Sequence, residues 1–160
     1  MATAYLALGA NLGDRLAALR AAVAALEGAD LRVVARSGVY ENPAVADEPQ
    51  PPYLNAVVRV ETTLDAAALL ARALAVEAAL GRVRSVEKRW AARTIDIDLL
   101  LFDGQVRDEP GLTVPHPRML ERAFVRVPLA EVAQPGLRHP VSREPLDHAA
   151  PSLHRLQEGL

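Results

Sequence analysis

Residues 94–102, Thr-Ile-Asp-Ile-Asp-Leu-Leu-Leu-Phe, constrain the fold of this chain more tightly than any other stretch. A short run of isoleucine, leucine and phenylalanine preceded by a polar loop reads as a buried strand. Side chains at i and i+2 of a strand share a face, so Asp96 and Asp98 point the same way with Cα atoms roughly 6.5–7 Å apart. Ile95, Ile97 and Leu99 take the opposite face and would anchor it in the core. Two carboxylates on a core strand are costly to desolvate unless something positive compensates them. Divalent cations are the strongest candidates. Oxygen ligands suit magnesium, and two carboxylates bridging a pair of ions about 3.5–4 Å apart would resemble a two-metal phosphoryl-transfer site. The plainer alternative is an ion pair between one Asp and Arg93, with the other Asp facing solvent.

Further strands are expected at 3–8, at 31–40, where Leu31, Val33 and Ala35 alternate with Arg32, Val34 and Arg36, and at 53–62. Leu16, Leu19, Val23 and Leu26 recur at helical spacing between Asp14 and Glu27, behind the turn and cap residues Asn11-Leu12-Gly13-Asp14. A second helix is expected from Asp65 to Leu80, with Gly81 at its C-cap. Between the second and third strands, Pro43, Pro49, Pro51 and Pro52 make 42–52 a loop, because proline continues neither a helix nor a ladder. The order strand, helix, strand, strand, helix, strand predicts an α/β (α+β) fold with a ferredoxin-like core, a mainly antiparallel sheet carrying two helices on one face. A chain of 160 residues fits one domain spanning 1–160, and its tail after about 137 has weak periodicity.

The net charge of −2 argues against a nucleic-acid partner bound through bulk electrostatics, so an anionic ligand must be met locally. The absence of cysteine excludes disulfides, thiolate zinc sites and cysteine nucleophiles. The start of the chain lacks a basic signal region, and no apolar run approaches the roughly 20 residues of a membrane span, so a cytoplasmic location away from membranes is expected. Gly9-Ala-Asn-Leu-Gly13 cannot be a P-loop, since the single Lys of the chain is Lys88; a tight turn and helix cap is the better reading.

Arg82, Arg84, Arg89 and Arg93, with Trp90 among them, lead directly into the acidic pair. Guanidinium groups clamp phosphate oxygens in bidentate fashion. His116 follows Pro115 and precedes Arg122 and Phe124, whereas His139, His148 and His154 have no such company and read as surface residues.

These residues resemble the 6-hydroxymethyl-7,8-dihydropterin pyrophosphokinases of folate biosynthesis. The densest match is Arg89-Trp90-Ala91-Ala92-Arg93-Thr94-Ile95-Asp96-Ile97-Asp98-Leu99-Leu100. Others are Leu8-Gly9-Ala10-Asn11-Leu12-Gly13-Asp14-Arg15, Val39-Tyr40-Glu41-Asn42-Pro43, Tyr53-Leu54-Asn55, Gly81-Arg82, and Val114-Pro115-His116 with Arg122 and Phe124. The resemblance implies transfer of diphosphate from ATP to the pterin alcohol, with attack on the β-phosphorus and release of AMP. It implies two magnesium ions on Asp96 and Asp98, charge neutralisation by Arg82 and Arg93, and ATP contacts from Glu77, Arg84, Trp90, His116 and Arg122. Tyr53 and Phe124 would sandwich the pterin ring, while Asn42, Pro43, Val45 and Asn55 meet its edge and Trp90 and Asp96 complete the pocket. The substrates would be the partners of a monomer, with Trp90 on a loop that closes over the site.

The chain departs from the family pattern in three places. Ala91-Ala92 replaces Gly-Pro, Asn42 replaces Thr, and the spacing from Arg82 to Trp90 is one residue longer, which leaves Arg82 and Arg84 as alternatives for the catalytic arginine. Two other classes fit parts of the pattern: a metal-dependent glycosyltransferase using its Asp-x-Asp, which would need a larger parallel sheet, and a non-catalytic ferredoxin-like binding module.

Overall fold

The computed structural model describes residues 1–42, 52–81, 95–149 and 153–160. β1 (Ala2–Ala10), α1 (Arg15–Leu26), β2 (Leu31–Arg36), β3 (Tyr40–Asn42), β4 (Tyr53–Thr62), α2 (Ala66–Gly81) and β5 (Asp96–Phe102) follow in order. A hairpin of β6 (Arg107–Glu109) and β7 (Leu112–Val114), a 3-10 turn at Met119–Glu121, α3 (Ala123–Val132) and β8 (His154–Arg155) complete the chain. The main sheet is antiparallel throughout in the order β5-β1-β4-β3-β8, and β2 also pairs with β4. This is the expected ferredoxin-like order, with β1 and β4 at the centre.

Both crossover helices start as their sequences suggest. Asp14 Oδ1 accepts the Ala17 N–H at 3.0 Å, and Asp65 Oδ1 accepts the Ala68 N–H at 2.8 Å. Each bond satisfies one of the donors that a helix start leaves without an intrahelical partner. α1 and α2 bury Leu19, Leu26, Leu69 and Ala73 against Leu6, Leu8, Val58 and Val60 of one sheet face.

The two expected helices share one face, and a third element not foreseen from sequence covers the other. α3 packs Val125, Leu129 and Val132 against Tyr5, Val57 and Leu100. Its sequence hides it, because Pro128 lies inside the helix, where proline removes one backbone bond and ordinarily argues against helix.

The strand expected over 31–40 is two strands. The break is chemical: the Ser37 N–H donates to Val57 O at 2.9 Å while its hydroxyl accepts the Val57 N–H at 2.8 Å, so the side chain takes over a ladder position and the chain turns. Gly38 leaves room there for the Arg155 guanidinium, where a Cβ would collide. The tail is also ordered by pairing that sequence periodicity cannot announce, Tyr40 opposite Arg155 and Glu41 opposite His154. His139 is buried rather than superficial, its Nδ1 accepting the N–H groups of Val141 at 3.2 Å and Ser142 at 3.1 Å.

Candidate active site

On β5 the face that carries Leu100 under α3 carries Asp98 and Asp96 farther back along the strand, beyond the apolar cluster. A β-bulge opposite Tyr5 and Leu6 lets both Leu100 and Leu101 join that cluster. The opposite face, with Ile95, Ile97 and Leu99, is buried beneath α2. Asp98 is exposed and Asp96 half-buried, so the two carboxylates open onto a cleft instead of being sunk in the core.

That cleft is a cavity of about 500 Å³. Its floor is β1, where Ala7 pairs with Asp98 and Gly9 with Asp96. Space is tight at Gly9: a Cβ there would stand 3.2 Å from Asn55 Oδ1 and 3.6 Å from a ring carbon of Tyr53. One wall holds Tyr53, Asn55 and Asn42, with the Asn55 amide nitrogen donating to the Asn42 amide oxygen. Both amides are buried, and the phenol of Tyr53 is pushed up from its ordinary pKa, chiefly by burial and then by the negative charge of Asp96. The opposite wall is α3 and the turn before it, with Phe124, Val125, Arg122 and Arg118. The Arg122 guanidinium carbon lies 5.6 Å from the centre of the Phe124 ring, within cation–π range.

Behind the acidic pair is a second, smaller cavity of about 250 Å³, lined by Leu70, Leu74, Glu77, Thr113 and His116. Asp96 and Asp98 line both cavities. Glu77 reaches from α2 to accept the Ile97 N–H at 2.7 Å. His116 follows the cis Val114–Pro115 bond, and its backbone N–H donates to Leu100 O at 2.9 Å, fixing the turn to β5. Burial holds the imidazole below its ordinary pKa; Asp98 opposes that shift, and Arg122 and Arg118 add to it. Its Nδ1 accepts the Arg118 N–H at 3.2 Å, so in the neutral ring Nε2 carries the proton and donates.

Of the residues singled out from sequence, Asn42, Tyr53, Asn55, Asp96, Asp98, Arg122 and Phe124 meet at the larger cavity, and Glu77 and His116 join the two aspartates at the smaller one. Arg122, expected beside the nucleotide, is on the larger side. Pro43, Val45, Arg82, Arg84, Trp90 and Arg93 lie outside the described residues. Sequence reasoning missed Arg118 and the floor residue Ala7. Arg118 shares a seven-residue stretch with His116 and Arg122, the one signal that could have drawn attention to it.

Two carboxylates are the available hard-oxygen donors at the wall between the cavities, and among the described residues no group of three or more His, Cys, Asp or Glu side chains forms a metal cage. This donor set fits magnesium, which typically binds through one or two carboxylates and completes its shell with phosphate oxygens and water. No helix among the described residues is long and apolar enough to cross a membrane.

The model of the 7,8-dihydro-6-hydroxymethylpterin-pyrophosphokinase family matches residues 5–134. The chain is similar to the 2-amino-4-hydroxy-6-hydroxymethyldihydropteridine pyrophosphokinase of Methylorubrum extorquens, 51% identical over 135 residues that cover 83% of this chain and 84% of that one. It is 46% identical over 132 residues to the Bacillus subtilis protein of the same name, covering 82% and 78%. Among solved structures, a triple mutant of Plasmodium falciparum HPPK-DHPS with SDX-DHP superposes with a TM-score of 0.69 at 15% identity, over 91% of this chain and 43% of that one. At that identity the likeness speaks for the fold alone, and the chain spans under half the length of that protein. Matched from residue 5 to residue 134 and half identical to an enzyme of that name, the chain belongs to the 7,8-dihydro-6-hydroxymethylpterin-pyrophosphokinase family.

Proposed function

We propose that the chain, a pyrophosphokinase that moves diphosphate from ATP to hydroxymethyldihydropterin in folate biosynthesis, performs the transfer across the wall formed by Asp96 and Asp98. One observation carries this reading: the same two carboxylates line both cavities, so groups bound on either side would meet at them. The larger cavity would take the flat pterin between Tyr53 and Phe124, each ring contact adding about 1 kcal/mol beyond its buried area. The coupled amides of Asn42 and Asn55 would read the hydrogen-bonding edge of the pterin. The smaller cavity would take the phosphate chain of ATP.

The pterin hydroxyl oxygen forms a bond to the β-phosphorus, the bridging bond between the α- and β-phosphates breaks, AMP leaves, and the hydroxyl proton is released. The residues act mainly by placing these atoms in line and holding their charge. Asp96 and Asp98 would hold two magnesium ions, which when bound supply charge neutralisation on the phosphates and a lowered pKa at the substrate hydroxyl. Neutral His116 would donate Nε2–H to a phosphate oxygen. Glu77 would hold Ile97, and with it the spacing of the two carboxylates, while lining the ATP side. Arg122 would reach the phosphates from the pterin side. Pro43 and Val45 at the pterin edge, Arg82, Arg84 and Arg93 on the phosphates, and Trp90 over both substrates enter on the family resemblance.

Among the described residues the exposed large apolar side chains, Met1, Val34, Leu74, Val106 and Val141, are spread along the sequence. The reading of residues 1–160 as one domain acting as a cytoplasmic monomer enters on the family resemblance. The decisive experiment is AMP release requiring both hydroxymethyldihydropterin and magnesium, run beside Asp96→Asn and Asp98→Asn. Each variant is expected to keep its fold and lose turnover by a factor on the order of 100 or more. Unchanged AMP release in both would remove the wall from the mechanism.

A further inference from the structure

Arg118 lines the larger cavity together with Asp96, Asp98 and Arg122. Its side chain is exposed, and among the described residues it has no ion-pair partner. Its own backbone N–H is caught by His116 Nδ1. The short segment 116–118 therefore straddles the acidic wall, with His116 on the smaller cavity and Arg118 on the larger. The two arginines of the larger cavity are not equivalent, since Arg122 lies over the Phe124 ring whereas Arg118 has no ring contact among the described residues.

A pterin alcohol is uncharged and gives these guanidinium groups nothing to pair with. Once the reaction is complete, however, the same cavity holds a pterin bearing a diphosphate on its hydroxymethyl carbon, beside two carboxylates that would repel it. A guanidinium matches phosphate oxygens in bidentate geometry. We propose that Arg118 is the product-side clamp, which meets the diphosphate as it leaves the ATP side and holds it in the pterin cavity. This inference rests on the function proposed above and adds to it a residue that distinguishes product from substrate.

The test is calorimetric binding of hydroxymethyldihydropterin and of its diphosphate ester, each with magnesium, to the full chain and to its Arg118→Met and Arg118→Lys variants. Arg118→Met is expected to weaken the diphosphate by about 10- to 100-fold, the scale of a lost charge-assisted hydrogen bond. Its affinity for the alcohol should stay within about twofold of wild type, because that ligand carries no charge for the guanidinium to pair with. Arg118→Lys should recover part of the loss, as a point charge without the fork. Wild-type affinity for the diphosphate in Arg118→Met, or an equal loss for both ligands, would overturn the assignment. AMP release by the wild-type chain separates the two levels: its absence strikes the proposed function itself, while its presence beside intact product binding in Arg118→Met strikes the clamp alone.

Discussion

Glu77, on α2, accepts the backbone N–H of Ile97, the residue that separates Asp96 from Asp98. The bond is 2.7 Å long and buried, and it is made from the helix-covered face of the sheet to the strand whose other face bears the two acids. Strand β5 is an edge strand, paired only with β1 among the described residues, so this carboxylate replaces a missing neighbour strand at the position where the site needs rigidity.

Replacing Glu77 with Ala should leave that N–H buried and unpaired, at about 1–3 kcal/mol of stability. Turnover should fall further than substrate affinity, since the spacing of Asp96 and Asp98 matters most when charge is being transferred. Glu77→Gln keeps an acceptor and should retain most of the stability. Denaturant unfolding of both variants, set beside kcat and KM for AMP release, checks the pair. Equal stability of Glu77→Ala and wild type would show that the bond does not restrain β5.

Gly9 sits where a methyl group would press on the Asn55 amide at 3.2 Å and on Tyr53 at 3.6 Å. Gly9→Ala is therefore expected to disturb the amide that reads the pterin edge while leaving the smaller cavity alone. The pterin alcohol should bind about tenfold more weakly, on the scale of one compromised hydrogen bond, with ATP affinity within about twofold. Calorimetry on the two ligands decides it, and a larger loss for ATP would count against the division of the two cavities.

The acidic pair and its neighbours could be read from residues in a row because a strand repeats every two positions: Asp96 and Asp98 on one face, Ile95, Ile97 and Leu99 on the other. What escaped lacks such a period. Pro128 disguised α3, whose burial of Leu129 outweighs one lost backbone bond. Ser37 breaks one strand into two through its hydroxyl, a local bond that no hydropathy pattern marks. Arg118 acquires meaning only from the cavity it lines, and β8 is two residues long and paired with a segment remote in sequence. The segment from 82 to 94, the richest in legible chemistry, lies outside the described residues.

His139 offers a pH dependence separate from the site. Its Nδ1 accepts two backbone N–H groups, and burial lowers its pKa against the opposing charge of Glu144. A histidine whose folded pKa lies below the unfolded value of about 6.5 binds fewer protons folded than unfolded between those two values. Stability should then rise with pH through that window and level off above about 6.5. His139→Asn, which keeps an acceptor and does not titrate, should flatten this part of the profile. Unfolding midpoints between about pH 5 and 7.5 provide the comparison, and identical slopes in the two proteins would contradict it.

The C-terminal residues close over the strand that delivers Asn42 to the site. β8 pairs with β3, the Leu156 N–H donates to Val39 O at 2.8 Å, and Arg20 holds Gly159 O at 2.8 and 3.1 Å. Glu131 of α3 gathers the ends of this strap, accepting from Gly38 N at 2.7 Å and the Tyr40 hydroxyl at 2.9 Å while pairing with Arg155 at 3.4 Å. From α1, Arg15 links Glu41 of β3 at 3.1 Å to Pro52 O at 2.7 Å, the two flanks of the segment 43–51. Ending the chain after residue 153 should loosen β3 at its outer edge and let Asn42 drift from Asn55. Affinity for the pterin should fall about three- to tenfold while affinity for ATP holds, because a less ordered wall must be fixed when ligand binds. Glu131→Gln tests the same path without deletion and should give a smaller shift of the same kind. If the truncated protein binds the pterin as the full chain does, the tail contributes stability alone and β3 is held by β4.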